Sequence, residues 1–552
     1  MLKKQANYRV LFLFILTSMV FSSCYKGIDV DLVIHNAKIH TMNDKNLIVE
    51  AIAVKDGKIV EVGPNQQILN KYNSEKIIDA QGKDLYPGLT DAHGHILSYM
   101  NQKLSVDLVG CKSYEEMVSR IEKYQALKKR KIIVGRGWDQ SLWGTKDLPT
   151  NDELNKAFPT IPICLYRIDG HAALVNDALI KMVGITNTTK VEGGIIEIKD
   201  NKLTGLLIDN SMNLVNKILP EFPEKEKIAT LEEIQDELLQ YGITGVHEAG
   251  IEFKDITFFK KLIEKDILKL NIYAMLLPSP ENISFATKNG RYQFKNLSIR
   301  SFKVYGDGAL GSRGACLKKH YDDHPGHFGM LTTTPNEMKH IAEICQKIGY
   351  QMNTHAIGDS TNSILLKLYE SAYSKNKDHR WRIEHAQVVD QNELNWFGKF
   401  GVFPSVQPTH AVSDQRWAKD RLGEKRMTGA YAYKSLMNSY GMLAIGTDFP
   451  VELTNPFLTI HAAVNRKDKN NFPANGFYEN EAITLEECLK GMTIWAAFAA
   501  FDEVRLGSIE AGKDATFTIF EKPIEAKDNY SDNFAWKTFI SGKNVFASDE
   551  LE

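Results

Sequence analysis

From Val30 onward, short apolar runs alternate with turns: Asp31–His35, then Ala51–Val54 and Lys58–Gly63 with Asp56-Gly57 between them. Such runs read as β-strands, and the Asp-Gly step is a two-residue hairpin signal because both residues tolerate positive φ. A similar pattern returns at the far end, from Leu506 to Phe520. Neither end is long enough for a substantial sandwich of its own. Residues 24–88 and 503–552 are therefore predicted to build one small β-sandwich together, with a larger unit inserted between them.

Within residues 89–502 the pattern changes. Apolar, strand-like segments such as Gly242–Glu248, Ser301–Tyr305, Tyr350–His355 and Val402–Val406 alternate with segments of helical periodicity such as Leu231–Leu239 and Phe258–Ile263. That alternation predicts an α/β fold around a parallel sheet. His355 and His385 end strands about 30 residues apart, the length of one βα unit, and the span from His385 to Asp448 leaves room for two more. Polar residues ending successive parallel strands are what a (β/α)8 TIM-like barrel gathers on its catalytic face. The stretch between the first strand and Gly242 is far longer than one helix and holds strands of its own, Lys131–Gly135 and Ile163–Arg167. It is predicted to be an inserted α/β subdomain, at about 105–225, over the barrel mouth.

The candidate chemistry lies at those strand ends. His93 and His95 stand two residues apart after Asp84–Gly88, and in a strand that spacing would face both imidazoles one way. Lys303 lies in an apolar run where an unmodified ammonium is costly to bury; its plainer readings are a side chain that reaches solvent or pairs with Asp307. His355, His385 and Asp448 complete the set, and imidazoles with a carboxylate suit zinc, iron or manganese. Trp138, Asp139, His171, His247, Arg313 and His410 lie in loops or at strand ends that could face a cleft and bind substrate. Arg313 could instead make a salt bridge within its loop, and His247 could orient another residue. Glu384 and Gln387, beside His385, are expected to pack against or orient its ring.

Taken in order, His93-x-His95, Lys303, His355, His385 and Asp448 resemble the metal ligands of the amidohydrolase superfamily. The resemblance is to its amidohydrolase-3 branch, which includes enzymes like N-substituted formamide deformylase. Supporting segments are Gly135–Gln140, Arg167–Leu174, Asp307–Arg313, His355–Asp359 and Gly446–Glu452, and together they span roughly residues 30 to 525. Gly314 departs from the threonine expected there, which bears on substrate contacts rather than on metal. The resemblance implies a two-metal site: His93, His95 and Asp448 on one ion, His355 and His385 on the other, and a CO2-derived carbamate on Lys303 between them. It also implies a metal-activated hydroxide as nucleophile and Asp448 as general base and acid, acting on an amide, formamide or N-acyl C–N bond of a small molecule. Hydrolysis of esters or cyclic amides, or isomerisation, fits the same scaffold. A surface lipoprotein that binds a ligand at an inactive site is a reading of another class.

Composition narrows the picture. A chain of 552 residues, 43% hydrophobic, supports a large core and about two to four domains by length. A formal charge of −2 leaves no strong field for nucleic acid. At the N-terminus, Lys3, Lys4 and Arg9 precede an apolar run from Val10 to Phe21 that is short for a membrane span and stops at Ser22-Ser23-Cys24. Residues 1–23 read as a signal peptide, and the pattern resembles a bacterial lipoprotein signal with Cys24 acylated; the plainer reading is a secretory signal with an incidental cysteine. The first reading implies an exported protein anchored to a membrane surface, facing the periplasm or the cell exterior. The other five cysteines are scattered and odd in number, which argues against a disulfide framework. The sequence leaves the oligomeric state open, a homodimer among the possibilities.

Overall fold

A computed structural model describes residues 27–144, 147–525 and 533–548, so the predicted leader and Cys24 lie outside the described residues. Eight parallel strands stand side by side in chain order: β1 (Leu89–Gly94), β2 (Ile243–Ile251), β3 (Asn271–Leu276), β4 (Leu297–Tyr305), β5 (Gln351–Ala356), β6 (Arg382–His385), β7 (Phe403–Val406) and β8 (Ala444–Ile445). Helices such as Glu224–Gln240, Pro335–Ile348 and Asp359–Lys375 pack outside them. The second of these shows why the sequence forms helix there. Thr334 and Glu337 make a reciprocal capping box, Pro335 occupies the first turn, and Gly349 ends the helix at φ 70°. Met338, Ile341, Ala342 and Cys345 recur on one face, and all four are buried.

The barrel is nearly closed, and side chains join its first and last strands. The Asp91 carboxylate accepts the Thr447 hydroxyl at 2.6 Å and the Thr447 backbone N–H at 3.1 Å, while Asp448 N–H donates to His93 O at 2.7 Å. Gly446 makes the approach possible, since a Cβ there would overlap the His93 backbone and the Asp91 carboxylate.

Between β1 and β2 the chain forms a separate six-stranded sheet, in the order Val106–Asp107, Ile133–Trp138, Ile163–Arg167, Ala172–Val175, Lys202–Asp209, Gly194–Lys199. It has its own core, including Met117, Ile133, Leu165, Leu174 and Leu206. Both chain ends meet in two facing sheets: Lys58–Gly63, Ala51–Lys55, Leu32–His35 and Ile77–Asp79 in one, and Lys543–Ala547, Ala535–Ile540, Phe517–Phe520, Asp84–Pro87, Lys38–His40 and Ile48–Val49 in the other. Ile34, Ile52, Leu85, Phe517 and Phe539 fill the space between them. Asp56 and Gly57 turn the hairpin at φ 50° and 72°, as the Asp-Gly step requires.

Two local expectations change. The strand carrying His93 ends at Gly94, and His95 opens the helix Ile96–Leu104, so the two imidazoles do not share a strand face. Of the run Leu506–Phe520 only Phe517–Phe520 is strand, because Gly507 and Gly512 turn the chain at φ 85° and 91°.

Thr447→Val keeps the shape of the side chain but removes the hydroxyl that Asp91 accepts. It is expected to lower stability by about 1–3 kcal/mol, read from the urea midpoint.

Candidate metal centre

Five predicted ligands come from the C-terminal ends of strands or the turns just beyond them, and Lys303 projects inward from β4. His93, His385 and Asp448 each bring a ligating atom to within 4.8 Å of the others. His95 Nε2 lies 3.0 Å from Asp448 Oδ1, and Lys303 Nζ lies 3.0 Å from His93 Nε2. The His355 ring stands 4.5 Å from that of His385, centroid to centroid. All six residues therefore meet in one place, but the grouping cuts across the expected division: His385 sits with His93 and Asp448 as well as beside His355. His385 and Asp448 take left-handed backbone conformations, φ 73° and 61°. Such conformations are unusual outside glycine and persist where surrounding structure over-determines them.

Each of two ring orientations has a visible cause. His93 Nδ1 contacts Glu384 Oε2 at 2.5 Å, and His385 Nδ1 contacts Gln407 Oε1 at 2.7 Å. Both partners accept, so each ring carries its proton on Nδ1 and presents the Nε2 lone pair. Burial, reinforced by the Lys303 charge, pulls the His93 pKa down to about 4. Burial holds His355 and His385 well below the ordinary histidine range, so all three rings are neutral at pH 7. For Asp448, burial opposes ionisation, but hydrogen bonds from His410 and His95 outweigh it and hold the carboxyl well below its usual range. Burial lowers Lys303 to about 8. Asp307, its alternative partner, is instead occupied by the backbone N–H groups of Ile357, Gly358 and Cys316 and the Thr361 hydroxyl.

The centre opens into a cavity of about 680 Å³ whose walls include Asp139, His171 and His410. The other three expected substrate residues sit elsewhere. Trp138 is buried in the inserted sheet, its indole N–H donating to Leu165 O at 2.7 Å. His247 lies beneath the centre, its Nδ1 3.0 Å from an Arg382 nitrogen. Arg313 pairs with Asp323 at 3.0 Å, the within-loop salt bridge. Glu384 orients His93 rather than the neighbouring His385, and Gln387 donates to Tyr431 Oη at 2.9 Å.

Sequence reasoning did not single out Arg382 or Gln407. A signal for the first was present: Arg382 and Glu384 alternate in a strand whose four residues are all buried, and charge in such a strand has to be paired. Three neutral imidazoles and an ionised carboxylate fit a divalent ion of the zinc, iron or manganese type; Lys303 Nζ faces the His93 Nε2 lone pair, and His95 and His410 face the Asp448 oxygens.

An amidohydrolase family model matches residues 76–546. The chain belongs to the amidohydrolase family. This family member is 30% identical to the protein LONG AFTER FAR-RED 3 of Arabidopsis thaliana, over 94% of this chain and 92% of the relative. It is more distantly similar to the N-substituted formamide deformylase of Arthrobacter pascens, at 23% identity over 93% of this chain and 97% of that one. Among solved structures, a metal-dependent hydrolase from Pyrococcus horikoshii superposes with a TM-score of 0.72 at 28% identity, covering 89% of this chain and 97% of the other. Metal-dependent hydrolase chemistry is thus the family setting of this centre.

Glu248, on β2, steadies the helix that follows His95 by accepting the N–H groups of Ile96 at 2.6 Å and Leu97 at 3.2 Å. Burial raises its pKa to about 8. From the ordinary carboxylate range up to that value, the folded chain holds a proton the unfolded chain has released, so stability falls as pH rises through the window. Glu248→Gln keeps an oxygen acceptor and removes the titration. It is expected to flatten the stability–pH curve over that window, measured by urea unfolding at several pH values.

Proposed function

We propose that the chain is a metal-dependent hydrolase of a C–N bond in an amide, formamide or N-acyl compound. The observation that carries this reading is the meeting of His93, His385 and Asp448 within ligating distance at the wall of a cavity large enough for a small-molecule substrate. These three residues would hold metal, with His95, His355 and Lys303 beside them and two ions per chain expected. A bound divalent ion supplies Lewis acidity and makes water acidic enough to ionise near neutrality. Asp448 is the proton carrier: its ionised carboxylate takes a proton from the attacking water and delivers it to the leaving nitrogen. His410, with Nε2 3.4 Å from Asp448 Oδ2 and Nδ1 3.2 Å from Glu452, helps keep that carboxylate ionised. Asp139 and His171, from turns of the inserted unit, line the cavity beside the centre.

Lys303 fits a carbamate better than an ammonium in this reading. As an ammonium it donates toward His93 Nε2 and takes up the lone pair a metal would use. Its lowered pKa makes the neutral amine accessible; Nζ then bonds the carbon of CO2 and releases a proton, which leaves an anion in place of a cation.

Chelation is expected to abolish hydrolysis across a panel of N-acyl amino acids, formamides, lactams and esters, with activity returning when metal is added back. Asp448→Asn is expected to lower kcat by roughly 10²- to 10⁴-fold while the chain still folds, read from steady-state kinetics beside circular dichroism. Full activity in metal-free protein, or near-wild-type kcat in Asp448→Asn, would sink the reading.

The address is the second part of the proposal. Acylation of Cys24 after cleavage at residue 23 would anchor the enzyme to a membrane surface; no helix among the described residues is long and apolar enough to cross a membrane. The native protein is expected in the membrane fraction, and Cys24→Ser is expected to release it or block its maturation, read by fractionation and intact mass. Normal processing and membrane retention of Cys24→Ser would rule the anchor out.

A further inference from the structure

The inserted unit places a further histidine with a buried carboxylate partner at the centre. His171 lines the cavity, and its ring centroid lies 4.8 Å from that of His355. Its Nδ1 is 2.8 Å from Oδ1 of Asp209, the last residue of the strand Lys202–Asp209, and Asp209 is 5% exposed. The two residues are also joined through the backbone, Asp209 N–H donating to His171 O at 3.0 Å. A carboxylate receiving Nδ1–H leaves Nε2 as the one polar atom the ring can offer to the cavity.

Three features show that this contact is built rather than incidental. Asp209 has φ 51° and ψ −128°, a backbone conformation that favours glycine, so an aspartate is held there against local preference. Its second oxygen is buried and has no hydrogen-bond partner. Gly308 and Gly314, from the barrel loop after β4, make room for the carboxylate: a Cβ at either would overlap Asp209 Oδ2. The glycine at 314, where the resemblance leads one to expect threonine, thus has a physical reason in this chain.

We infer that Asp209 is a positioning residue that fixes the tautomer and orientation of His171, so that the inserted sheet supplies the reaction centre with a hydrogen-bonding group facing the bound substrate. The effect on turnover rests on the hydrolase reading; the effect on the ring does not. Asp209 acts through His171, and the glycine pair acts through Asp209.

The test uses the metal-loaded protein with histidine labelled with nitrogen-15. In the wild type the His171 signals, assigned by their absence in His171→Ala, are expected to show the Nδ1–H form; Asp209→Asn, similar in shape, is expected to shift them. Unchanged His171 signals would overturn the inference whether or not any substrate is turned over. With p-nitroacetanilide as probe, Asp209→Asn is expected to lower kcat by roughly 10- to 100-fold with little change in KM and with metal content and thermal midpoint unchanged. The double variant with His171→Ala should be no slower than His171→Ala alone, whereas multiplied losses would show that Asp209 does not act through the ring. Gly314→Ala should reproduce the Asp209→Asn spectrum. If the wild type turns over none of the amide probes, the hydrolase reading fails, and the spectra alone decide the case for Asp209.

Discussion

The centre depends on a charge buried beneath it. Glu384 and Arg382 are both fully buried, with Arg382 Nε 2.7 Å from Glu384 Oε1. Arg382 also donates to Ala92 O at 2.7 Å and Ser405 Oγ at 2.8 Å, so one guanidinium ties β6 to β1 and β7. Taking two ions out of water costs several kcal/mol each, and removing one partner from such a pair typically costs about 3–5 kcal/mol because the other charge is left uncompensated. Arg382 and its neighbours keep Glu384 ionised against the cost of burial. That ionised carboxylate is what fixes the His93 proton on Nδ1 and turns the Nε2 lone pair toward the centre.

From this base the rest of the centre follows as a set of enforced orientations. Gln407 does for His385 what Glu384 does for His93, with a neutral amide oxygen in place of a charge. The left-handed turns at His385 and Asp448 bring both side chains inward at a local cost on the order of 1–3 kcal/mol each, which the surrounding barrel has to offset. Asp91 and Thr447 hold the two ends of the barrel together beside these turns. Closing the barrel and assembling the centre are one structural event, because β1 and the turn after β8 each carry residues of the centre, His93 and Asp448.

The inserted sheet makes the site more than a barrel mouth. Asp139 and His171 reach the same cavity as His385 and Asp448, so the wall opposite the strand ends comes from a unit with its own core. Family membership accounts for a metal-dependent hydrolase setting at the strand ends. What the cavity accepts depends on this wall, since a shared barrel does not set the substrate.

Much of the architecture was legible in the linear pattern. Strand and helix periods, the Asp56-Gly57 turn, and histidines ending apolar strands are local features, and local features determine local structure. The order of His93, Lys303, His355, His385 and Asp448 marked the centre because parallel strands in chain order bring their C-terminal ends to one face. What the tertiary structure decided were the pairings. Glu384 stands beside His385 in sequence yet holds His93, from which it is 291 positions away, and Asp209 reaches His171 across 38. Arg313 went to Asp323, His247 to Arg382 and Trp138 to a backbone carbonyl, because a buried polar group takes whichever partner the packed strands bring within reach. A sequence read along one dimension carries the chemical capacity of each side chain; which partner satisfies it is set only when strands distant in the chain become neighbours.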